Sequence, residues 1–105
     1  ENDTAQLTLS LDVLYHLTEN DVFDNYMHRL FNSSLGFVII YSSNTENNSK
    51  EQGIHVRHRE FTKWVNNYKK EWELYKYVPN KFPLSKDELD GSFSDFFIYR
   101  KMTTD

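Results

Sequence analysis

Leu7, Leu9 and Leu11 alternate with Thr8 and Ser10, the two-residue period of a strand, and predict a first strand over residues 7–12. Thr18, followed three residues later by Asp21, has the spacing of a capping box. Behind it Val22, Phe23, Tyr26, Met27, Leu30 and Phe31 recur at helical spacing, which predicts a helix over 20–33 ended by Asn32, Ser33, Ser34 and Gly36. Phe37-Val38-Ile39-Ile40-Tyr41 is a continuous β-branched and aromatic run, the pattern of a strand buried on both faces. Strand, helix, strand is the order of a right-handed parallel crossover. Residues 42–53 contain no apolar side chain, so a flexible loop is expected beyond the carboxyl end of the second strand. Phe61, Trp64, Val65 and Tyr68 mark a second amphipathic helix over about 58–70, with Trp64, Tyr68 and Trp72 expected in the core. Residues 72–78 read as a short strand. A turn-rich link with Pro79 and Pro83, then a solvated acidic stretch at 86–90, lead to a last strand over 93–101, with Phe96, Phe97 and Ile98 buried.

A chain of 105 residues makes one small domain, and 16% aromatic residues argue against disorder over most of it. The formal charge of -4 and the pI near 5.5 exclude a general nucleic-acid binder, which needs a basic face. With no cysteine, disulfides, thiolate catalysis and Cys-ligated zinc are excluded, a composition compatible with the cytoplasm. The apolar runs fall well short of the roughly 20 residues that cross a bilayer, so no membrane association is expected. The chain begins at Glu1 rather than Met, from which we expect further sequence upstream.

Positive charge concentrates in one place, His55, Arg57, His58 and Arg59. At the start of the second helix these residues would suit a carboxylate or phosphate of a small substrate, because backbone donors there also favour anions. The alternative is an ordinary exposed cluster. Two imidazoles, His55 and His58, without a clear third ligand do not make a zinc site, and no metal is expected.

Taken together, "LTLSLDVLYHL", "DVFDNYMHRLF", "FVIIYSSN", "HVRHREFTKWV", "ELYKYVPNKFP" and "SFSDFFIYRK" resemble the C-terminal half of a class I S-adenosylmethionine-dependent methyltransferase, from its fourth strand to its seventh. The resemblance covers nearly the whole chain. It implies an α/β fold that is half of a Rossmann-like doubly wound sheet, with about four strands, the last one or two antiparallel, two main helices, and the closing strand inserted between the second and third. The turn after the first strand here would border cofactor and substrate, which assigns Tyr15 and His16 to catalysis and Asp12, with His55, Arg57, His58 and Arg59, to substrate binding. Each also has a plainer reading: Asp12 as a turn former, Tyr15 as a packed ring, His16 as a histidine bonded to a nearby carbonyl.

The family's Gly-rich turn, which holds S-adenosylmethionine, lies on the other half. Gly36, Gly53 and Gly91 are the only glycines here and none forms G-x-G after a strand. The isolated chain is therefore expected not to bind the cofactor and to be inactive. Without its neighbour the first strand becomes an uncharged apolar edge, which predicts pairing through residues 7–12 with a second copy or with the missing N-terminal half. A self-associating, non-catalytic α/β module that binds a small acidic ligand is the alternative.

Overall fold

The computed structural model describes residues 4–48, 55–80 and 93–103. Residues 49–53 of the polar loop, Pro83 and the acidic stretch at 86–90 lie outside the described residues. The elements run as strand β1 (Ala5–Leu11), a single 3₁₀ turn (Leu14–His16), helix α1 (Asn20–Asn32), strand β2 (Ser34–Ser42), helix α2 (Phe61–Tyr68), strand β3 (Trp72–Val78) and strand β4 (Asp95–Lys101).

Strand β1 stops at Leu11 because Asp12 adopts a φ of 56°. That left-handed conformation cannot continue a strand, and Asp tolerates it better than most residues. The expected capping box does not form. Glu19 stands at the N-cap of α1 without a side-chain cap bond, Asp21 accepts from the adjacent Val22 N–H at 3.0 Å, and the Thr18 carbonyl is engaged by Arg59. Helix α1 closes at Ser33, whose N–H bonds back to the Arg29 carbonyl at 3.0 Å. Ser34 and Gly36 therefore begin β2 instead of ending the helix.

The sheet has the order β1-β2-β4-β3. Strands β1 and β2 are parallel, and β4 is antiparallel to both of its neighbours, so β3 runs in the direction of β1 and β2. The closing strand is thus inserted where it was expected. One core joins Phe23, Met27, Leu30 and Phe31 of α1 to Phe61, Trp64 and Val65 of α2, and both sets to Val38, Ile40, Trp72, Phe97 and Tyr99 of the sheet. Both helices therefore lie on one face.

No described residue covers the opposite face, and this corrects two expectations. The run at 37–41 is buried on one side only: Val38 and Ile40 are 0% exposed while Phe37 keeps 43% of its surface. In β4, Phe97 is buried, whereas Phe96 is exposed and Ile98 half-buried on the other side. Tyr68 is not a core residue, because it stands in the last turn of the eight-residue α2, exposed, with its ring 5.1 Å from that of Trp64. The register aligns the uncovered side chains in rows, Leu9 beside Ile39 and Ile98, and Leu11 beside Tyr41 and Phe96, with Leu7 beside Phe37 at the end. β1 has β2 as its one described strand neighbour, which leaves its other backbone edge open. No helix among the described residues is long and apolar enough to cross a membrane.

Candidate functional site

The carboxyl ends of β1, β2 and β3 converge with the start of β4, and open α/β sheets bind ligands at this end. Asp12 is the junction. Its N–H extends the ladder one step further, to the Tyr41 carbonyl at 2.8 Å. Its Oδ1 accepts from Ser94 Oγ at 2.8 Å, tying the exit of β1 to the approach of β4. The same carboxylate bonds the Tyr15 hydroxyl. Burial first, then that bond and the negative charge of Asp12, push the Tyr15 phenol up to about 12, so it remains a neutral hydroxyl at physiological pH. Asp12 is thus used by the fold itself: the left-handed backbone turns the chain and the carboxylate anchors two segments.

The 3₁₀ turn splits the pair of adjacent rings. Leu14 enters the core and His16 is exposed. The Tyr15 ring stands 4.9 Å from Phe93, edge-on, and 5.9 Å from His58. Of the two residues assigned to catalysis, Tyr15 joins this cluster, and His16 flanks it from the solvent side, 4.6 Å from Tyr15.

The basic cluster also divides. His55–Glu60 precede α2 instead of belonging to it. The helix's first donors are already taken by the loop after β2, Glu60 N–H by Glu46 Oε2 at 2.7 Å and Thr62 N–H by Asn44 Oδ1 at 3.3 Å. A carboxylate at a helix N-terminus suits the dipole, so the anion position is filled from within the chain. Arg59 donates through Nη1 to the Leu17 carbonyl at 2.5 Å and through Nη2 to the Thr18 carbonyl at 3.1 Å. Its guanidinium lies 4.4 Å from the centre of the Phe23 ring. Arg57 donates to the same Thr18 carbonyl at 3.3 Å, and its N–H bonds the Tyr15 carbonyl at 2.7 Å. Both arginines clamp the segment between the 3₁₀ turn and α1. His55 is exposed.

His58 is the member of the cluster that reaches the sheet end. Its Nδ1 is 2.5 Å from Ser43 Oγ, and its ring meets Phe93 edge-on at 4.8 Å. Its backbone is held on both sides by Asn48, N–H to Oδ1 at 2.8 Å and carbonyl from Nδ2 at 3.1 Å. Burial lowers its pKa below the ordinary 6.5, so the imidazole is neutral at pH 7.

His58 and Ser43 open onto a pocket of about 790 Å³. His58, Phe93, Phe97 and Tyr77 supply rings, and Asn44, Asn47 and Asn48 supply an amide wall. Among the described lining residues Asp95 is the one with a formal charge at pH 7, and both of its oxygens are bonded, Oδ2 from the Tyr77 hydroxyl at 2.7 Å and Oδ1 from Asn80 N–H at 2.8 Å. That bond to Asp95 raises the Tyr77 pKa. Among the described residues no group of three His, Asp or Glu side chains could hold a metal ion.

Sequence reasoning missed Ser43, Phe93, Ser94 and Asp95. Ser43 lay in a stretch read as loop, and Phe93 to Asp95 as the beginning of a strand. The available signal was positional, since each follows or precedes a strand at the end where Asp12 falls. Among the described residues the one glycine, Gly36, is inside β2, 2.9 Å from Gln6 Oε1 at its missing Cβ position, and not in a turn. No protein-family model matches the sequence, and no curated protein matches it.

Proposed function

We propose that this chain is the substrate-side half of a class I S-adenosylmethionine-dependent methyltransferase-like domain, whose cofactor site is supplied by a segment preceding Glu1 or by a second chain. The observation that carries this reading is the sheet: a parallel pair, an antiparallel closing strand inserted beside it, and both helices on one face. Parallel strands are ordinarily covered on both faces, and no described residue covers the rows of Leu9, Ile39 and Ile98, which a second layer would bury. In this reading the added half pairs with β1 and covers those rows. The pocket at the strand ends then holds the methyl acceptor, with Tyr15 and His58 beside it. A cytoplasmic location belongs to the same reading, since a cysteine-free chain needs no oxidising compartment.

Calorimetric titration of S-adenosylhomocysteine tests it. The 105-residue chain is expected to give no heat of binding at millimolar ligand, whereas the chain expressed with its in-frame upstream coding sequence, or with a copurifying partner, should saturate near one site. Saturable binding to the 105-residue chain alone would contradict the assignment of the cofactor site to the other half. An extended or partnered chain without binding would remove the methyltransferase reading.

A second reading rests on the open edge of β1, where Leu7, Leu9 and Leu11 are all exposed: a non-catalytic module that self-associates through this strand. Leu9→Lys places a charge on an exposed position, so the variant should fold normally and lose any oligomer built on that edge. Light scattering reads the outcome. An unchanged solution mass for a folded Leu9→Lys oligomer would rule out this interface.

A further inference from the structure

After β2 the chain lies alongside the segment that enters α2. Asn44 Oδ1 accepts from Thr62 N–H at 3.3 Å, Glu46 Oε2 from Glu60 N–H at 2.7 Å, and Asn48 Oδ1 from His58 N–H at 2.8 Å. Two residues forward in one segment match two residues backward in the other. This is the register of an antiparallel ladder, with side-chain oxygens standing in for the backbone carbonyls of one strand. Two further bonds fasten its ends, from Asn48 Nδ2 to the His58 carbonyl at 3.1 Å and from Asn44 Nδ2 to Thr62 Oγ1 at 3.0 Å. The residues between the rungs, Thr45 and Asn47, line the pocket at the strand ends.

The ladder works against a local preference. The helical pattern of the sequence reaches back to about residue 58, yet Glu60 stands at φ -81° and ψ 80°, outside the helical region. Two of the three rungs are exposed to solvent, and bonds of that kind open before a packed core does. We propose that residues 44–48 form a strap that releases 58–62 as one unit, and that its release withdraws the His58 ring from Ser43 and Phe93, removing one wall of the pocket. The bonds of Arg57 and Arg59 to the Leu17 and Thr18 carbonyls do not involve the strap, so the change stays local to His58 and Glu60. A ligand touching Thr45 or Asn47 bears on the same strap, which links occupancy of the pocket to the position of His58. The device lies outside the methyltransferase reading and does not depend on it.

Hydrogen exchange of the 105-residue chain, followed by NMR, tests the strap. The His58, Glu60 and Thr62 amides should show protection factors within about threefold of one another, and about tenfold or more below that of Met27, buried inside α1. Asn44→Ala removes the rung farthest from His58. It should raise exchange about tenfold at all three amides and shift the Ser43 and His58 ring signals, with Met27 unchanged. Asn44→Asp keeps the acceptor, and a carboxylate suits the start of a helix, so exchange should stay near that of the native chain. Glu46→Gln, an isosteric change at an exposed residue, weakens the middle rung and should act in the same direction as Asn44→Ala. Faster exchange confined to Thr62 in Asn44→Ala or to Glu60 in Glu46→Gln, or widely unequal factors in the native chain, would mean three separate bonds and overturn the strap. A His58 ring that stays on Ser43 while all three amides lose protection would overturn the link to the pocket. No cofactor takes part, so these outcomes are independent of whether an extended chain binds S-adenosylhomocysteine.

Discussion

Phe31→Ala should remove about 3–5 kcal/mol of folding free energy, the usual cost of deleting a fully buried ring. Phe31 is 1% exposed at the end of α1. Its ring meets Trp72 at 5.3 Å and Tyr99 at 5.6 Å, both edge-on, and lies 6.5 Å from Trp64 of α2. It therefore joins three layers of contact at once: its own helix, the neighbouring helix and two strands of the sheet. Alanine there leaves a cavity bounded by large rings that cannot close without moving the helix. A small domain holds only about 5–15 kcal/mol in total, so the variant should be largely unfolded at modest urea concentrations, with a melting temperature lower by roughly 15 °C or more. Tyr68→Ala serves as the comparison: the ring is 60% exposed, and its loss should cost about 1 kcal/mol or less. Urea unfolding followed by far-ultraviolet circular dichroism measures both. A Phe31→Ala loss near that of Tyr68→Ala would mean that α1 is not seated on the sheet as described.

Raising the pH should destabilise the protein above pH 10 through Tyr99. Burial pushes the pKa of this phenol well above its ordinary 10.0, and its side chain is 2% exposed. In the unfolded chain the hydroxyl ionises near pH 10; in the folded chain it keeps its proton to higher pH. A folded pKa above the unfolded one gives stability that is fully present below pH 10 and is lost as the pH rises. The loss should be roughly 2–3 kcal/mol by pH 12. Tyr99→Phe keeps the ring and removes the titration, so its stability should fall less steeply over the same range. Equal slopes for the two proteins between pH 10 and 12 would show that the Tyr99 hydroxyl reaches solvent in the folded state.

The fold was largely legible along the chain, and the site only in part. Periodicity placed both helices and all four strands within a few residues, because alternation at two and recurrence near 3.6 are local consequences of backbone geometry. Boundaries failed where a tertiary partner took over a local group. Thr18 was read as a cap, but the arginines at 57 and 59 claim its carbonyl. His58 was read as the first residue of a helix, but the loop after β2 supplies the bonds that hold it outside. The charge of the cluster at 55–59 was visible and its use was not. Arginine forks turn toward whichever carbonyls the fold brings near, and here those are Leu17 and Thr18, some forty residues earlier.

The sequence by itself determined the elements, their order, the acidic balance, and the absence of cysteine and of a glycine-rich turn. Each of these is a matter of composition or of spacing within about ten residues. Only the tertiary structure decided that Phe37, Ile39 and Tyr41 face away from both helices, because an unbroken apolar run carries no record of which face a helix covers. It also decided that Asp12 meets Ser94 across 82 positions of chain, and that Ser43 meets His58. Such pairings depend on which strand ends the sheet order brings together, and no local pattern encodes that order.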